Sequence, residues 1–591
     1  MKQFFGAFFG SCLGILVTGV VIIIIVIASI TSVFSDAIKM NEHEVYKPKE
    51  NTVLRINLNG DIKERGVKNP FGDLNLGPFM PKASVGLNEI LASLKKAKDD
   101  NNIKGIYLEI SEPVAGFATL EEVRNSLLDF KSSGKFIYAY SEGFSQKAYY
   151  LATTANKLYL NPQGALEMKG LSSQIMFFKK MLEKMDMEVQ IFRHGKFKSA
   201  IEPFMLDKMS DANRTQVETY LGSLWNHMTK GISDSRKISV KDINDMANNL
   251  AIRSPEDAVK YKLVDELKYE DEVFSAIKKN INLKGEDQIN FVSLTKYSTS
   301  VYDSKLTKDK IAVIYAVGEI ESGEGDDEKI GSLRIAKAIR EARLDKNIKA
   351  IVFRVNSPGG SALASDVIWR ETVLAKKAKP FIVSMGDVAA SGGYYISCAA
   401  DRIFAQPNTI TGSIGVFGMI PNAQKALSEK LGITIDTVNT NKHSDVGTIL
   451  RGVTTDEYEY VQQSVEHIYD VFITKVATGR KTSKNTIDSI GQGRVWSGAD
   501  AIKINLVDEL GGINDAIVYA AKQAKLKEYE LMNLPKQKDP LQELLSNTQD
   551  EMEARTMKSY LGEQYIYMKH LKNVLQLKGV QARLPYEMII E

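Results

Sequence analysis

The chain is written twice. Residues 386–401, GDVAASGGYYISCAAD, align without a gap on residues 141–156, SEGFSQKAYYLATTAN, at an offset of 245. The same offset carries Phe381-Ile382 onto Phe136-Ile137, Tyr394-Tyr395 onto Tyr149-Tyr150 and Pro407 onto Pro162. Upstream it carries Asn347-Ile348-Lys349 onto Asn102-Ile103-Lys104 and Pro358 onto Pro113, and downstream Ser444 onto Ser199. Further out, VLRINLNGDI (53–62) matches AVIYAVGEI (312–320) at an offset of 258, so the first copy holds a loop 13 residues longer. Surface loops absorb such insertions cheaply. Near the ends, KLVDEL (262–267) echoes NLVDEL (505–510). The duplication restricts the chain to two homologous domains, 45–300 and 305–540, between an N-terminal segment 1–40 and a tail 541–591.

Within each copy, β-rich runs such as KAIVFRV (349–355), PFIVSMG (380–386) and DRIFAQ (401–406) alternate with helical stretches such as ALASDVIWRETVLAKKA (362–378) and SGGYYISCAA (391–400). That alternation predicts βαβ units around a parallel sheet, an α/β fold in both domains. Residues 207–237 and 452–481 read as longer charged amphipathic helices. A net charge of +3 and the absence of a long basic run argue against nucleic acid as a partner. Cys12 and Cys398 cannot form a disulfide framework, and six scattered histidines with no Cys/His cluster give no metal site; no cofactor is indicated. From Phe4 to Phe34 there is no charge, and Leu13 to Ile30 is long enough to span a bilayer, longer than the core of a cleaved signal peptide. An uncleaved transmembrane anchor is expected. Lys2 before it favours a cytoplasmic N-terminus and puts the rest of the chain on the outer side.

The copies differ where chemistry can sit. In the second, VNSPGGSA (355–362) follows a strand, and its paired glycines let backbone N–H groups approach a ligand closely. AASGG (389–393) follows the next strand and opens a helix, which puts the Ser391 hydroxyl and the Gly392 N–H at the positive end of a helix dipole. Ser391 also suits a plain helix N-cap, and SPGG a plain turn. In the first copy Ser357-Pro358-Gly359-Gly360 becomes Glu112-Pro113-Val114-Ala115, and Ser391-Gly392-Gly393 becomes Gln146-Lys147-Ala148. A capping serine is useful in both copies, whereas a catalytic set can be dispensed with in one. A serine nucleophile needs a base. Two are available: Lys198, just before the shared Ser199 in FRHGKFKSAIEPF (192–204), and His443, in the same slot of the second copy. The lysine must be neutral to accept a proton, which apolar burial permits; its alternative is a solvated lysine in a basic cluster with Arg193, His194 and Lys196.

RHGKFKSAIEPF, VNSPGGS, MGDVAASGGYYIS, TGSIGVFG (411–418) and GRVWSGADA (493–501), together with the anchor and the two repeats, resemble the long, two-domain form of the signal peptide peptidase A family, membrane-anchored bacterial serine proteases with a Ser-Lys dyad. The resemblance covers nearly the whole chain. It implies tandem Clp protease/crotonase-like domains of ββα spiral repeats, with Ser391 as nucleophile and Lys198 as general base across the domains. It also implies that Ser413, whose counterpart is Met168, orients the lysine, and that Gly360 and Gly392 are the oxyanion donors. The implied substrates are hydrophobic peptides, cleaved signal peptides above all. The implied setting is the bacterial inner membrane, with the catalytic part on the periplasmic or outer side, in a ring of four chains. Three other readings stay open at this level: a non-catalytic membrane scaffold, a crotonase-like acyl-CoA enzyme, and a serine protease with His443 as base.

Overall fold

The computed structural model of the chain describes residues 18–19, 46–66, 85–284, 288–302, 307–537, 557 and 580–584. The expected membrane helix lies, but for Thr18 and Gly19, outside them; among the described residues no helix is long and apolar enough to cross a membrane.

Each copy of the repeat builds a parallel sheet. In the first, the strands stand in the order Glu266–Leu267, Lys157–Leu166, Phe136–Phe144, Ile103–Glu109, Thr52–Asn57, Asn290–Ser293, with every neighbouring pair parallel. In the second, Phe381–Ala390, Ile348–Ser357, Lys310–Val317 and Glu530–Leu534 run parallel in that order, and Arg402–Ala405 and Glu509–Leu510 continue beside Phe381–Ala390. The offset of 245 read from the sequence separates the starts of the strands at Ile103 and Ile348, at Phe136 and Phe381, and at Lys157 and Arg402. It also separates the helices Leu87–Asp99 and Ser332–Leu344, and Phe117–Lys131 and Ala362–Ala378. Both copies are α/β, as the alternation predicts. Parallel neighbours need crossover connections, and the helices that make them cover both sheet faces. Hence IKAIVFRVNS, the strand Ile348–Ser357, is buried at every position but Lys349 and Asn356. The two long helices are Asp211–Arg236 and Thr455–Gly479, started by the side chains of Ser210 and Thr454, the latter in a capping box with Glu457.

A third sheet joins the copies. Its order is Lys329–Gly331, Glu319–Glu321, Gly359–Ser361, Gln581–Arg583, Phe417–Asn422, Glu188–Arg193. The last of these belongs to the first copy and pairs antiparallel with Phe417–Asn422 of the second, Arg193 opposite Phe417. Two helix ends are also shared. Asp387 of the second copy accepts from Thr119 N at 2.8 Å and from Thr119 Oγ1 at 2.6 Å, serving the start of Phe117–Lys131, whose own N-cap, Gly116, has no side chain to do it. In return Glu122 of the first copy accepts at 2.7 Å from Ile513 N, at the start of Ile513–Gln523. Between them Arg354 is fully buried, its Nε 2.9 Å from Glu64 and its Nη2 2.7 Å from Glu122, the latter an ion contact rather than an aligned hydrogen bond. Arg354 Nη1 donates to Ser384 Oγ and to Met385 O. Burial opposes the charge of Arg354, but Glu122 and Glu64 hold its pKa above the ordinary arginine range.

Candidate active site

Strand Phe381–Ala390 ends one residue before Ser391, and helix Gly392–Ser397 begins one residue after it. To make that turn Ser391 takes φ 55° and ψ −114°, a conformation that a residue with a Cβ rarely adopts. Neighbours hold it there: Ser391 N donates to Gly412 O, and Tyr395 N donates to Ser391 O, both at 2.8 Å. Ser391 occupies the N-cap position, yet its side chain caps nothing. The following glycines are enforced by crowding, since a Cβ on Gly392 would lie 2.7 Å from Ser365 Oγ and one on Gly393 2.7 Å from Ser357 O.

Lys198 arrives from the other copy. Five residues beyond strand Glu188–Arg193, its Nζ lies 2.8 Å from Ser391 Oγ, 3.1 Å from Ser413 Oγ and 3.3 Å from Ser413 O. Lys198, Ser391 and Ser413 are all fully buried. Burial alone pulls the Lys198 pKa well below its ordinary value, so the site favours the neutral amine. The basic-cluster reading of Lys198 as a solvated side chain is therefore excluded. His443 sits elsewhere, with Nδ1 3.0 Å from Glu457 Oε1 and a side chain 41% exposed.

The lysine loop is clamped by residues the sequence did not single out. Gly493 has φ 83°, and a Cβ there would lie 2.6 Å from Lys198 N, so only glycine admits the lysine backbone. Phe197 N donates to Gln492 O at 3.0 Å. Gln216 Nε2 donates to Ser199 Oγ and to Phe197 O, while its Oε1 accepts from Val495 N of the second copy. Glu202, nearly fully buried, accepts from Ser210 Oγ at 2.6 Å and Asn213 Nδ2 at 2.9 Å, which ties KSAIEPF to the start of helix Asp211–Arg236. The only sequence signals were the glycine in GRVWSGADA and the glutamate in KSAIEPF, and neither names its partner.

The segments that carry the predicted donors Gly360 and Gly392 meet through Gly359. Gly359 and Gly360 have φ 99° and 157°, and a Cβ on Gly359 would come within 2.7 Å of Gly392 N, so the two glycine segments abut beside Ser391. In the first copy the frame is filled by other contacts. Gln146, at the place of Ser391, accepts from Lys169 N and Gly170 N and donates to Gly170 O, while Ser145 caps the helix by accepting from Ala148 N. A hydroxyl, a desolvated amine within hydrogen-bond reach of it, and backbone N–H groups at a helix start are together equipped for acyl transfer.

Known proteins carry related sequences. The profile of peptidase family S49 matches residues 129–284 and 374–527, one stretch holding Lys198 and the other Ser391. Protease 4 of Salmonella typhi is 39% identical over 454 residues, 75% of this chain and 73% of its own. The chloroplastic serine protease SPPA of Arabidopsis thaliana is 33% identical over 549 residues, 91% of this chain and 78% of its own. A putative signal peptide peptidase SppA of Enterococcus faecium is 32% identical over 254 residues, 42% of this chain and 73% of its own.

Proposed function

Since the chain belongs to peptidase family S49 and is a serine protease, we propose that Ser391 is its nucleophile and Lys198, from the other copy, its general base. The observation that carries this reading is the 2.8 Å approach of two fully buried groups, Lys198 Nζ and Ser391 Oγ. Neutral Lys198 takes the hydroxyl proton as Ser391 Oγ attacks a peptide carbonyl; the same ammonium then returns the proton to the leaving amine. Ser413 holds the amine in line. The N–H groups of Gly360 and Gly392 receive the oxyanion, and one such donor is worth about 3 kcal/mol of barrier. Water, deprotonated by Lys198 in turn, releases the acyl group.

The substrates on this reading are hydrophobic peptides, cleaved signal peptides among them, in keeping with the relative from Enterococcus faecium and with the uncharged run from Phe4 to Phe34. The same reading makes 13–30 a single-pass anchor in the bacterial inner membrane. The Clp/crotonase-like halves 45–300 and 305–540, followed by the tail 541–591, then lie on the outer side as a homotetramer.

Cleavage of a hydrophobic peptide tests the dyad. Lys198→Ala and Ser391→Ala are expected to lose about 10²–10⁴-fold or more in kcat/KM, with His443→Ala unaffected. Activity that survives Lys198→Ala but not His443→Ala would assign the base to the histidine.

A further inference from the structure

The turn that clamps Lys198 hangs from one phenol. Helix Lys484–Ile490 stops before Gly491, and the next two residues, Gln492 and Gly493, take φ 53° and 83°. Two consecutive left-handed residues, the first with a side chain, need support from outside the turn. Tyr469, buried on helix Thr455–Gly479, supplies it: its Oη accepts from Gln492 N at 3.1 Å and donates to Asp488 Oδ1 at 2.6 Å. Burial and Asp488 push the phenol pKa above its ordinary range, so the proton stays on the tyrosine. The turn held in this way touches both Lys198 and Ser413. Gln492 O accepts from Phe197 N, Gly493 abuts the Lys198 backbone, and Arg494 O accepts from Ser413 N at 2.7 Å. The face of the Tyr469 ring is used as well. His194, in the loop that brings Lys198, stacks on it with centroids 3.8 Å apart and planes at 22°.

The first copy shows what the phenol adds. Counted from the N-caps Ser210 and Thr454, an offset of 244 places Trp225 where Tyr469 stands and Asn244 where Asp488 stands. There Trp225 Nε1 donates to Asn244 Oδ1 at 2.7 Å, so a tie between the two helices is kept in both copies. An indole N–H only donates, whereas a phenol donates and accepts at once. Helix Val240–Asn248 runs on to the counterpart of Gln492, so the first copy has no such turn to hold. The accepting half of the tie belongs to the copy that clamps the lysine. We propose that Tyr469 is a positioning residue of the reaction: its hydroxyl fixes the turn 491–494 and thereby the aim of Lys198 Nζ at Ser391 Oγ. It acts through the turn and not on substrate. The inference rests on Lys198 being the general base.

The test uses the full chain, a hydrophobic peptide as substrate, and active sites counted by fluorophosphonate labelling at completion. Tyr469→Phe keeps the ring and its stack but takes away the acceptor of Gln492 N. It should lower kcat by about 10–100-fold, the cost of an approach misplaced by about 1 Å, with KM unchanged. A slackened loop also admits water to the amine, so the pH midpoint of Ser391 labelling should move up by about one unit. Asp488→Asn, which keeps an acceptor as the first copy does, should match the parent. Asp488→Ala frees the hydroxyl to swing away from Gln492 N and should move kcat and midpoint in the same direction as Tyr469→Phe. The double variant should be no worse than Tyr469→Phe alone, because the two residues act as one unit. Parent kcat and midpoint in Tyr469→Phe would overturn the proposal, as would a loss carried by KM alone. Should Tyr469→Phe not fold, parent kcat and midpoint in Asp488→Ala would overturn it instead. If Lys198→Ala still cleaves at the parent rate, the dyad falls and the role of Tyr469 with it; if Lys198→Ala is dead and Tyr469→Phe is unimpaired, only the role of Tyr469 falls.

Discussion

Two residues carry the account, and each is held in a state it would not choose alone. Ser391 sits at φ 55°, where strain of about 1–3 kcal/mol is normal for a residue with a side chain. Ser391→Gly should therefore abolish cleavage while raising stability by about 1 kcal/mol, read from the urea midpoint. Burial pulls the Lys198 pKa well below its ordinary value. In the unfolded chain a lysine keeps its proton up to about pH 10.4, so unfolding takes up a proton at every pH between the lowered folded pKa and that value. Stability contributed by this group thus rises with pH across that window and is lost as pH falls through it. Lys198→Met should flatten this slope and raise Tm at neutral pH, with activity gone; a variant less stable than the parent at pH 7 would contradict the assigned burial cost. From the sequence, the comparison of the two copies weighed against a plain N-cap at Ser391, but Lys198 was singled out over its solvated alternative only by the family resemblance. Ser391 also suits an N-cap, and the choice of Lys198 over His443 depends on an approach across 193 residues of chain that no local pattern encodes.

At the scale of elements, the halves are joined by reciprocal helix caps around one buried arginine. Arg354→Ala leaves Glu64 and Glu122 buried without their cation, and should cost about 3–5 kcal/mol in urea unfolding. Asp387→Ala removes only the borrowed cap of Phe117–Lys131, and should cost about 1 kcal/mol. Equal effects would mean that Arg354 is not the clamp. The regular elements were legible because both repeats obey one period: the strands Ile103–Glu109 and Ile348–Ser357, and the helices after them, stand where the offset of 245 puts them. The third sheet was not legible. Glu319–Glu321, Gly359–Ser361 and Gln581–Arg583 have three residues each, too few for periodicity, and their pairing is set by tertiary contact within the second copy and with the tail. The clamp escaped for a similar reason, since the place of Arg354 in the first copy is taken by Glu109, paired there with Arg55.

For the molecule as a whole, duplication followed by divided labour is the governing fact. The second copy keeps the serine turn and the glycines, the first keeps the lysine loop, and the strand pair Glu188–Arg193 and Phe417–Asn422 brings them into register. On the proposed dyad, the reactivity of one copy titrates with a group in the other. The most direct measurement is the rate at which a fluorophosphonate labels Ser391, followed against pH in the parent chain, in Lys198→Ala and in His443→Ala. The account expects labelling of the parent to rise with pH through a midpoint well below 10.5, the same profile in His443→Ala, and near-complete loss in Lys198→Ala at every pH. Labelling of Lys198→Ala at the parent rate with an unshifted profile would contradict it.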